Sequence, residues 1–95
     1  MTDPMDFSAI TQEQAVLAMD AVMDLADGWQ TKLNAATVRI GDLTIRVTLG
    51  EIDDREAAIK AAEYLQTVKR CRTELRLHDE AYKRLYAIWS ERSAQ

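Results

Sequence analysis

Ninety-five residues leave room for one domain, and an apolar fraction of 47% with 29% charged residues supplies one modest core. A single cysteine, Cys71, excludes an internal disulfide and a multi-cysteine zinc site, and no apolar run approaches the ~18–20 residues of a membrane span. The net charge of −4 is split unevenly, net −7 over residues 1–54 and net +3 over residues 55–95, so the first half is not built for nucleic acid.

The opening stretch, Met1-Thr2-Asp3-Pro4-Met5-Asp6-Phe7, carries acids where a signal peptide carries Lys or Arg. A cytoplasmic location is expected, with residues 1–10 as a flexible tail and residues 11–95 as a single small domain. The first helix begins at Thr11, where Thr11-Gln12-Glu13-Gln14 fits a capping box and Ile10 with Ala15 a weak hydrophobic staple. Ala15, Ala18, Met19, Val22, Leu25, Ala26, Trp29 and Leu33 then recur at helical period. The stripe continues past Gly28, which favours a helix running through that glycine to about Lys32.

The period changes next. Thr37–Ile40 and Leu43–Leu49 alternate polar and apolar residues and are rich in β-branched side chains. Gly41-Asp42 between them suits a two-residue type II′ turn with Gly41 at positive φ. That register pairs Ile40 with Leu43 and Val38 with Ile45 on one apolar face, and predicts a β-hairpin that rests on helices. The expected core sets Val22, Leu25 and Trp29 against Val38, Ile45, Val47 and Leu65.

Gly50 ends this region, and Asp53-Asp54-Arg55-Glu56 opens a second helix with Asp53 as N-cap. From Glu51 to Gln95 there is no Gly, Pro or Asn. A heptad-like seam threads the run: Ala61, Tyr64, Val68, Cys71, Leu75, His78, Tyr82, Leu85, Trp89. A helix over residues 54–92 is about 57 Å long, too long for a hairpin and one short helix to cover. It either breaks near residues 77–80 or stays whole and projects as a distal arm. The fold class expected is α+β, mostly α: helix, β-hairpin, long helix.

Sites with chemistry are few. Cys71, Glu74 and His78 share a helical face, but Cys71 and His78 stand about 10 Å apart along the axis, too far to ligate one zinc, and no other His or Cys exists. No catalytic residue, metal or cofactor is expected. Asp20, Asp24 and Asp27 form an acidic face, which the solvated-surface reading accounts for without chemistry. Lys69, Arg70, Arg72, Arg76, Lys83 and Arg84 make the second half basic, yet Glu74, Asp79 and Glu80 interleave, so direct nucleic-acid contact is not expected. Tyr82, Leu85, Tyr86 and Trp89, with Arg72 and Arg76, are the candidate partner-binding residues of the arm, since aromatics and Arg dominate interface energy. The alternative is that these aromatics fold back as core.

The order helix, tight hairpin, Asp53-capped helix, over about Thr11 to Arg70, resembles the small head-completion, or head–tail joining, proteins of tailed phages (lambda W type). The chain beyond Arg70 extends past that family's second helix, and the first half lacks its basic character. The resemblance implies a non-enzymatic, oligomeric adaptor between portal and tail, in the virion, and carries no residue across. The alternative function is a small acidic inhibitor, anti-CRISPR-like or antitoxin-like, whose Asp20/Asp24/Asp27 face mimics phosphate charge. In either case the partner is protein, the chain's own copies included.

Overall fold

The computed structural model describes residues 9–94. Two α-helices form an antiparallel hairpin: α1, Gln12–Thr48, of 37 residues, and α2, Asp54–Ser93, of 40 residues. The hairpin is long and flat, 65 × 29 × 14 Å. Most of the N-terminal tail expected over residues 1–10 lies outside the described residues; Ile10, at its end, is buried in the core.

Both helices start as their sequences dictate. Thr11 caps α1: its Oγ1 accepts from the Gln14 amide at 3.1 Å, and Gln14 Oε1 accepts from the Thr11 amide at 3.1 Å. Ile10 and Ala15, the staple pair, are buried in one cluster. Asp53 caps α2 by accepting from the Glu56 amide at 2.7 Å.

The expected β-hairpin is absent, and the α+β class is corrected to an all-helical hairpin among the described residues. Residues 37–48 continue α1. The same apolar residues fit two patterns. Read in twos, Val38, Ile40, Leu43 and Ile45 form one strand face around a turn. Read in fours and threes, Ala36, Ile40, Leu43 and Val47 extend the stripe of the first helix. The second pattern wins: Ala36 and Leu43 are buried and Ile40 and Val47 half-buried, while Val38 is 71% and Ile45 59% exposed. The cause is cooperative. A helix already nucleated upstream adds one hydrogen bond per residue and keeps burying one seam, whereas a lone two-stranded hairpin is marginal. The β-branched threonines adapt by donating back to carbonyls four residues earlier, Thr44 to Ile40 at 3.2 Å and Thr48 to Thr44 at 2.9 Å. Asp42 and Arg46 pair at 3.0 Å along the same helix.

The reversal lies instead at Gly50, the only positive-φ residue described, at φ 76°. Its amide donates to Val47 O at 3.0 Å and the Glu51 amide donates to Arg46 O at 2.9 Å. These two bonds make a Schellman close, which needs a left-handed residue after the helix. Gly41, expected at positive φ, sits inside α1.

The seams then mesh. On α1 the seam runs Ala15, Met19, Val22, Ala26, Trp29, Leu33, Ala36, Ile40, Leu43, Val47, with Ala18 half-buried beside it. On α2 it runs Ala57, Ala61, Tyr64, Val68, Cys71, Leu75, His78, Tyr82, Leu85, Trp89, Arg92, with Glu74, Ala81 and Ile88 half-buried beside it. Both alternate steps of four and three, the repeat of a left-handed coiled coil. α2 passes residues 77–80 unbroken. Because α1 stays helical to Thr48, it covers nearly all of α2, and no distal arm projects. The expected core is corrected with it: Leu25, Val38, Ile45 and Leu65 are exposed, and only Val22, Trp29 and Val47 of that set are half-buried.

Candidate protein-interaction flanks

Two helices meshed along one seam leave a flank on each side of the contact. The heptad repeat decides what each flank carries. On the first flank α1 presents Val16 and Met23, one residue past the seam and seven apart, and α2 presents Leu65, Arg72, Asp79 and Tyr86, likewise seven apart. All six are exposed. Between the helices here runs an open groove of about 380 Å³, lined by Val22, Met23, Ala26, Leu75, His78, Asp79 and Tyr82. Met23 is 53% exposed at its rim.

The second flank is different. Lys32 Nζ stands 4.5 Å and Arg70 Cζ 5.4 Å from the Trp29 ring centroid, and Arg39 Cζ stands 5.8 Å from that of Tyr64. Cations over these rings cover the apolar seam with their stems. A smaller groove of about 230 Å³ lies here among Lys32, Ala35, Ala36, Arg39, Tyr64 and Thr67.

Charge lies just outside the first flank. Glu13, Asp20 and Asp27, seven apart, form an exposed acidic row on the outer edge of α1, with Asp24 one step further round. Lys69, Arg76 and Lys83, seven apart, form the matching exposed basic row on α2. Lys83 also pairs with Asp79 at 3.0 Å. No group of acids, His or Cys fit to hold a metal ion occurs among the described residues.

The residues singled out for partner binding divide. Leu85 is 4% exposed, in a cluster with Ile10, Ala15 and Met19, and Tyr82 and Trp89 pack against it half-buried. They are core at the open end of the hairpin, and Leu85 is unavailable to a partner. Tyr86, 52% exposed and 5.6 Å from the Trp89 ring, remains on the surface with Arg72 and Arg76. Val16 and Met23 were missed because they fall beside the stripe that defines α1; their signal was a second apolar row at heptad spacing. Cys71 and His78 take structural places. Cys71 is 0% exposed, and His78 Nδ1 donates to the Glu74 carbonyl at 2.6 Å.

Neither a family model, nor a curated protein, nor a solved structure matches the chain. No helix among the described residues is long and apolar enough to cross a membrane.

Proposed function

We propose that the chain is a non-enzymatic interaction module, an adaptor that works by packing the uncovered flanks of its helical hairpin on protein, its own copies included. One observation carries the reading: of the eleven large hydrophobic residues exposed among the described residues, Val16, Met23, Leu65 and Tyr86 gather on the first flank beside its groove. Scattered apolar side chains are ordinary on a surface, but rows at heptad spacing beside a groove mark a site for further helices. The non-enzymatic part draws support from the one thiol being sealed in the core and the one imidazole being held by its own helix. A free thiol also suits a reducing, cytoplasmic setting. The element order behind the head-completion resemblance has gone with the β-hairpin, so the proposal does not draw on it.

The test is thermal unfolding over a hundredfold range of protein concentration. Association through the flanks makes the midpoint rise with concentration. Replacing Val16, Met23 and Tyr86 together by Gln should leave the helical circular dichroism intact and abolish the rise. A midpoint independent of concentration in the parent protein, with no binding of a hydrophobic dye, contradicts the reading.

A further inference from the structure

We infer that the occupant of the first flank is a second copy of this chain, packed face to face about a two-fold axis along the hairpin, with both loops at the same end. The inference rests on the proposed interaction role and adds its partner, surface and orientation.

The argument is one of charge placed by register. Arg92 Nε reaches the Ile10 carbonyl, Trp29 lies beside Arg70, and Arg39 lies beside Tyr64. The same antiparallel register puts Asp20 at about the level of Lys83 and Asp27 at about the level of Arg76. Within one hairpin these rows lie on opposite outer edges of the flank, too far round to meet.

A two-fold axis along the hairpin changes that. It stacks α1 of each copy on α2 of the other and preserves every level. The acidic row then faces the basic row of the other copy twice over, with Arg72 close to Asp27. Met23, Leu65 and Tyr86 come inward and close the groove. A two-fold axis across the hairpin stacks α1 on α1 and α2 on α2. It then sets acidic row against acidic row and basic row against basic row, with Asp79 the one flank acid among the bases, and such like-charge contact costs association. The apolar strip drives contact in both arrangements; the charged rows choose between them.

The experiment uses charge reversal at exposed positions. Asp20→Lys with Asp27→Lys makes one variant, and Arg76→Glu with Lys83→Glu the other. Circular dichroism confirms that each stays helical. Each alone should associate at least ~tenfold more weakly than the parent, and mixing them should restore a dimer, since each supplies the charge the other lacks. Rising salt should weaken the parent dimer. A nitroxide on Glu51→Cys then reads the orientation, with the buried Cys71 left in place. Loops at one end give a spin–spin distance under about 30 Å, a few helix spacings. A distance near the 65 Å length of the hairpin overturns the orientation. Variants that dimerise as tightly as the parent overturn the inference and leave the apolar-flank reading standing. A parent protein that stays monomeric overturns the inference; one that also binds no hydrophobic dye overturns the interaction reading with it.

Discussion

Arg92 Nε donates to the backbone carbonyl of Ile10 at 3.2 Å, across 82 positions of sequence. The bond fastens the entry of α1 to the exit of α2, at the end of the hairpin that has no loop. Gln12 Nε2 donates to Ser93 Oγ beside it. Beneath lies the cluster of Ile10, Ala15, Met19 and Leu85. The open end is thus held by packing and by a polar clasp over it.

Removing the clasp should loosen that end first. Arg92→Ala should cost about 0.5–1.5 kcal/mol, the net worth of such a hydrogen bond. Amide exchange should quicken in the first two turns of α1 and hold steady near Gly50. Uniform quickening along both helices would show that Arg92 matters to the whole hairpin and not to its end.

Leu85 and Tyr86 are neighbours in sequence with opposite fates. Leu85→Ala should cost about 2–5 kcal/mol by urea unfolding, as a buried leucine does. Tyr86→Ala, measured where the chain is monomeric, should change stability by no more than about 0.5 kcal/mol. Equal losses at the two positions would contradict the inward and outward placement of the seam.

Gly41, expected in the turn, and Gly50, expected to end the second strand, should respond with opposite sign. Gly41 lies inside α1, and a Cβ there meets nothing within 4 Å. Gly41→Ala should stabilise by about 0.5–1 kcal/mol, the helix-interior penalty of glycine. Gly50→Ala should destabilise by about 1–2 kcal/mol, because φ there is 76°. A β-turn at Gly41 would make Gly41→Ala destabilising, so the sign at that position decides between the two chain paths.

That pair also shows what could be read from the residues alone. The capping box at Thr11, the Asp53 cap and the seam from Ala61 to Trp89 were legible because each is a local pattern with one physical solution. The stretch 37–49 was not. Its apolar residues satisfy a strand alternation and a heptad at once, and local preference favours the strand. The choice falls to α2, which offers a complementary seam along its whole length. With residues 37–49 in strands, α1 is too short to cover α2, whose end then stands as an arm. The acidic and basic rows were visible as composition. Their sevenfold spacing gained meaning only when both helices shared one register.

Cys71 offers a check on the seam itself. With 0% exposure, its thiol should stay unmodified by an aromatic disulfide reagent under native conditions and react fully in urea. Rapid native labelling would place Cys71 outside the contact between α1 and α2.

The most direct measurement of the central claim is the molar mass in solution by light scattering, taken over rising protein concentration at low and high salt. The chain has a mass of 10.8 kDa. A flank that binds a second copy through apolar rows and opposed charges predicts twice that value at high concentration, reached later as salt is raised. A mass of one chain at every concentration and both salts would contradict it.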